Sequence, residues 1–282
     1  MIANTQGRKW IALLTTLLLL WGCGAAEHRA AAYYEKGKQL FEAGDYVKAQ
    51  LELKNALQIT PKHAEALYLL GLSAEKTKQW QTAFSAYTQA LSVNPEHADA
   101  RVRRGNLYLM TRVPEKALEE AKTVLEKTPE HPGALVLRGF VALQNHQLAN
   151  AREDVQQALA KDPRHEYALL LSAWLYAKAG KTDLAIETLK TGIDSNQGSE
   201  RLLQMLGNVY AQSGEDRHAA DIFRQLISLD PDNVVYRTRL AALYARSGHI
   251  GDAEQVLRDA VERESTQTAH KLNLVNFIKA HR

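Results

Sequence analysis

Small and apolar residues recur along the chain with a period of 34, and the recurrence runs without a gap. At that offset Asn55-Ala56-Leu57 through Pro61 falls on Gln89-Ala90-Leu91 through Pro95. With Ala30 as position 1, seven full units begin at Ala30, Ala64, Ala98, Pro132, Glu166, Glu200 and Val234. Position 20 is alanine throughout: Ala49, Ala83, Ala117, Ala151, Ala185, Ala219 and Ala253. Position 8 is Gly37, Gly71, Gly105, Gly139, Ala173, Gly207 and Ala241. Slots that accept only small residues predict two antiparallel helices per unit, with backbones so close at the crossing that a larger side chain would push the axes apart. Proline at position 32 (Pro61, Pro95, Pro129, Pro163 and Pro231) ends the second helix, because it lacks the amide hydrogen and clashes with the preceding turn. Glycine at position 15 (Gly44, Gly180, Gly214 and Gly248) permits the left-handed turn that closes the first.

Tyr108, Tyr176, Tyr210 and Tyr244 fill position 11, and Leu53, Tyr87, Leu189, Phe223 and Leu257 fill position 24. Together with the small residues and prolines, these positions resemble the tetratricopeptide repeat family. The resemblance implies an all-α fold, a right-handed α-solenoid of antiparallel helix pairs, with seven repeats over residues 30–267. Residues 268–282 continue in the register of a first helix, with Leu274 at position 7 and Ile278 at position 11. Two readings stay open for them: a capping helix over the apolar end of the array, or the start of a partial eighth repeat in a truncated chain.

The N-terminal run is patterned differently. Residues 1–22 have a polar start with Arg8 and Lys9, an apolar stretch from Trp10 to Trp21 and small residues beyond it, the three parts of an export signal. The stretch is well short of the ~20 residues a spanning helix needs. The chain's one cysteine, Cys23, follows directly in Leu20-Trp21-Gly22-Cys23. This resembles a bacterial lipobox, with Leu20 and Gly22 matching and Trp21 departing from the usual small residue. The resemblance implies lipidation of Cys23 and a short linker over residues 23–29, and it removes a thiol with no intramolecular partner from an oxidising compartment. The alternative is a retained signal anchor with Cys23 idle and Trp10 and Trp21 at the membrane interface.

Charge and motifs narrow the function. Setting aside Arg8 and Lys9 from the 35 Lys plus Arg leaves 33 basic against 32 acidic residues, which gives no net basic face for nucleic acid. No H-E-x-x-H, G-x-S-x-G, phosphate-loop, C-x-x-C or calcium-loop pattern occurs, so neither an enzyme nor a cofactor or metal site is expected. His63, His97, His131 and His165 share position 34 and could be read as a metal ladder. Equivalent positions in stacked helix pairs lie on the order of 10 Å apart, too far to share one metal, so they are expected as polar loop residues. Glu119-Glu120, beside Lys116 and Lys122, reads as a solvated helix face, and the cluster Arg101, Arg103 and Arg104 as surface ion pairs, with Arg103 able to reach the inner face.

In the family, positions 2, 5, 9, 12 and 13 line a concave inner surface. Carried over, the resemblance implies a peptide-binding trough of Val102, Asn106, Leu109 and Met110, then Val136, Phe140, Leu143 and Gln144, then Tyr167, Leu170, Trp174 and Lys178. Its ends are polar, with Glu65, Glu75 and Lys76 on one side and Arg201, Gln204, Asn208 and Arg246 on the other. The expected partners are proteins or extended peptides with apolar anchors. The expected role is a non-enzymatic scaffold in a bacterial cell envelope, lipid-anchored and facing the periplasm, at the outer rather than the inner membrane. The phrase Leu53-Lys54-Asn55-Ala56-Leu57-Gln58 is similar to repeat lipoproteins of exopolysaccharide and PEP-CTERM sorting systems. A pilotin-like factor for type IV pilus assembly and an adaptor of envelope hydrolases are the alternatives.

Overall fold

A computed structural model of the chain describes residues 26–263 and 268–281. The export segment and Cys23 lie outside the described residues. Two compact units divide the chain, Met1–Pro129 and Glu130–Arg282. Among the described residues the first unit holds α1 (residues 26–42), α2 (Tyr46–Ile59), α3 (Ala64–Lys76), α4 (Trp80–Val93), α5 (Ala98–Met110) and α6 (Pro114–Lys127). The second holds α7 (Pro132–Gln144), α8 (Leu148–Lys161), α9 (Glu166–Lys178), α10 (Thr182–Ser195), α11 (Glu200–Ser213), α12 (Asp216–Leu229), α13 (Val234–Arg246), α14 (Ile250–Arg263) and α15 (Thr268–His281). Within each unit the helices from α2 onward each pack against their successor, and Gly37 of α1 lies against Leu53 of α2, the pattern of an all-α solenoid built from helix pairs. None of these helices is long and apolar enough to cross a membrane.

The helices start and stop for reasons that repeat. First helices open under a side-chain cap: His63, His97, His131 and His165 each accept a hydrogen bond at Nδ1 from the backbone N–H three residues on, at 3.2–3.4 Å. Ser199 caps α11 through its hydroxyl at 3.2 Å, and Asn233 caps α13 from its side-chain oxygen at 3.1 Å. The histidine row is therefore a row of N-caps, each satisfying one of the amides a helix start leaves orphaned. Because Nδ1 accepts, the ring proton sits on Nε2. In His97 that nitrogen lies 3.4 Å from a Glu65 carboxylate oxygen without forming a hydrogen bond to it.

First helices end in a left-handed residue at position 15. Glycine supplies it at Gly44, Gly180, Gly214 and Gly248, with φ between 72° and 83°. Lys78, Arg112 and His146 adopt it at φ 59–60° without glycine's freedom, so the turn itself is demanded by the hairpin in those repeats too.

The cores form where the small residues of positions 8 and 20 let a bulky position 24 enter. Tyr87 is wholly buried among Leu67, Ala74, Ala83 and Leu107, and Phe223 among Leu203, Leu206, Ala219 and Leu240. Leu274 and Phe277 of α15 pack on Ala241, Ala253 and Leu257, while Leu272 and Val275 of the same helix stay exposed.

Candidate protein-interaction surfaces

The α5 residues of the expected trough belong to the first unit, and those of α7 and α9 to the second. On α5, Asn106 and Leu109 are half-buried, and Met110 is 59% exposed. On α7 and α9, Phe140, Leu143 and Trp174 are half-buried against one cluster of Ala142, Ala151, Val155, Leu171 and Leu175. Gln144 and Lys178 at the ends of these helices are exposed. Leu170 is half-buried on the neighbouring core, and the half-buried Tyr167 ring carries the Arg201 guanidinium 5.2 Å above its centre.

Val102 and Val136 correct the expectation of an accessible wall, since they are 8% and 3% exposed. Both occupy position 5. Longer side chains there, Tyr34, Tyr68, Leu170 and Gln204, keep part of their surface in solvent, whereas a valine ends inside the packing. The two valines hold helices together and offer a ligand almost no area.

The charged residues are engaged within the chain. Arg103 lies 3.4 Å from Glu75, near the half-buried Tyr68 and the buried Tyr87, whose hydroxyl pKa values are pushed up chiefly by burial. Lys76 sits over the Tyr46 ring at 5.8 Å. Arg246 donates from Nε to Asp216 at 2.9 Å and holds that carboxyl below the usual carboxylate range.

Glu120 departs from the solvated face its neighbours suggested. It is 6% exposed and accepts from Arg104 Nε at 2.8 Å and Arg101 Nη1 at 3.0 Å. The same device joins position 7 to position 23 elsewhere: Lys36 to Glu52 at 2.5 Å, and Arg138 to Asp154 at 2.6 Å. The Asp154 hydrogen bond raises the Arg138 pKa above the usual guanidinium value. Three of the four repeats without the pair place Leu70 with Ala86, Leu206 with Ile222, and Leu240 with Val256 in these slots, and the fourth has Ser172 with Thr188. Opposite charges sixteen residues apart within one repeat were the available signal for this pairing. Among the described residues no group of acids, histidines and cysteines is arranged to hold a metal.

The geometry defines a class: an all-helical repeat protein whose first helices present partly exposed apolar side chains. Tetratricopeptide repeat profiles match residues 34–88, 74–137, 142–209 and 200–233, and the chain belongs to the tetratricopeptide repeat family. As such it is a protein-interaction scaffold, binding protein or peptide partners. No curated protein matches it in sequence. Its fold is similar to a tetratricopeptide repeat protein from Parabacteroides merdae, at 22% identity over 89% of this chain and 99% of that one, with a TM-score of 0.58. It is similar to PilF of Pseudomonas aeruginosa at 21% identity, covering 76% of this chain and 97% of that one, TM-score 0.52. PilW, a type IV pilus biogenesis factor, matches at 19% identity over the same shares, TM-score 0.56.

Proposed function

We propose that this chain is a non-enzymatic scaffold of a bacterial cell envelope, an exported lipoprotein held by acyl chains on Cys23. It faces the periplasm from the outer membrane and assists assembly of a secretion, exopolysaccharide or protein-sorting system. The observation that carries the binding role is the half-exposed row of Phe140, Leu143 and Trp174 over one buried cluster. Large aromatics fixed along one edge by a core concentrate binding energy, since little side-chain freedom remains to be lost when a partner arrives. Replacing Phe140 and Trp174 together by alanine is expected to cut recovery of partners from solubilised membranes by at least about tenfold, with helical circular dichroism retained. Recovery equal to wild type, with the helical signal intact, would place the interface elsewhere.

The envelope part of the reading is supported by the run Leu20-Trp21-Gly22-Cys23 after an apolar stretch too short to span. Cys23→Ser is expected to move the protein from the membrane pellet to the soluble fraction. A variant still in the pellet after carbonate washing overturns the lipid anchor. A pilotin-like role in type IV pilus assembly is the second reading, favoured by similarity of fold over 97% of PilF and of PilW.

A further inference from the structure

The second unit carries a cleft of about 540 Å³ between α8 and α9, lined by Arg152, Val155, Gln156, Ser172, Tyr176 and Lys181 with their neighbours. It lies on the face of α9 opposite Tyr167, Leu170 and Trp174. At 3.6 residues per turn, Ser172, Leu175, Tyr176 and Ala179 cluster on one side of the helix and those three on the other. The cleft exists because two slots are under-filled. Position 24 is Val155, where the following repeats of this unit have Leu189, Phe223 and Leu257. Position 7 is Ser172, where the next two have Leu206 and Leu240.

Tyr176 is left as the floor. In the next repeat the equivalent Tyr210 is covered by the His218 ring at 5.1 Å and the Lys190 ammonium at 5.9 Å. Among the described residues Tyr176 has neither kind of cover. The charged residues of the lining are Arg152 and Lys181, both exposed and both cationic, with no acid among them. The lining also holds the Gln156 amide and the Ser172 hydroxyl, which can both donate and accept.

We propose that the α8–α9 cleft is a second docking surface, which takes an acidic peptide by seating one bulky apolar side chain on Tyr176, Leu159 and Ala179 between Arg152 and Lys181. The volume lies within the ~300–1,000 Å³ of ordinary ligand sites. Carboxylates flanking the anchor meet the two cations, which gives a fast, salt-sensitive association. Gln156 and Ser172 pair with the peptide backbone, a match that an acyl chain would leave unmet.

The test uses the full chain in detergent and a fluorescein-labelled synthetic peptide with one phenylalanine between pairs of aspartates, read by anisotropy. Saturable binding is expected, weakened at least about tenfold by Arg152→Glu with Lys181→Glu and by Ser172→Leu, which places in the cleft the residue found at this position in α11 and α13. Binding should survive the Phe140 and Trp174 double alanine variant, which separates this surface from the one proposed above. Absence of saturable binding overturns the proposal, as does equal binding of the peptide with lysines for aspartates, or indifference to both cleft variants in protein with wild-type circular dichroism. Capture by phosphatidylserine vesicles that is lost in the charge-reversed variant, without peptide binding, would also overturn it and assign the cations to a membrane surface.

Discussion

Gly71→Ala is expected to destabilise the first unit by about 3 kcal/mol, a large effect for one methyl group. A Cβ at Gly71 would stand 2.3 Å from Tyr87 Cε1 and 2.8 Å from Cζ. That ring is wholly buried and packed beside Tyr68, so it has nowhere to retreat and the two helices must separate. The other repeats contain the compensating change. Both repeats with an aromatic residue at position 24 keep glycine at position 8, Gly71 with Tyr87 and Gly207 with Phe223. Both repeats with alanine at position 8 have leucine at position 24, Ala173 with Leu189 and Ala241 with Leu257. In a Tyr87→Leu background Gly71→Ala should therefore cost under about 1 kcal/mol, a coupling that urea denaturation of the four proteins of the cycle measures directly. Additive effects would show that the ring is not the obstacle.

Glu120→Ala carries the other large effect, roughly 3 to 5 kcal/mol. Its carboxylate is the common acceptor for Arg101 and Arg104, whose side chains are only 21% and 17% exposed. Removing it strands two half-desolvated guanidinium groups, which is costlier than the net worth of the pair itself. Arg104→Leu with Glu120→Ile recreates the Leu206 and Ile222 combination and is expected to recover most of the loss, with Arg101 keeping its Nε hydrogen bond to the Pro95 carbonyl. If the single variant unfolds at the wild-type urea concentration, the triad contributes nothing and the residue is solvated after all.

Local constraints were legible in the sequence because each is imposed by backbone geometry alone. The glycines at position 15 announced left-handed turns, and Lys78, Arg112 and His146 show the turn persisting where the residue does not favour it. Proline at position 32 marked helix ends, and the small residues at positions 8 and 20 marked helix crossings. The histidines at position 34 are legible in the sequence as polar residues of the loop before each first helix. Their role as N-caps is decided only in the folded chain, because an imidazole accepts an amide proton only with its ring turned onto the helix start.

What sequence determined by itself is thus the repeat: its length, its two helices, their ends and their closest approach, all set by residues within one 34-residue copy. Tertiary structure alone decided which side chain at a given repeat position meets solvent. Val102 and Val136 are enclosed where Leu170 stays partly open, and Glu120 is buried beside an exposed Glu119. Enclosure depends on how far a side chain reaches relative to those around it, and such lengths are not periodic. The α8–α9 cleft has the same origin, since a valine and a serine at two positions filled by larger residues in later repeats leave a gap visible only when the helices are packed.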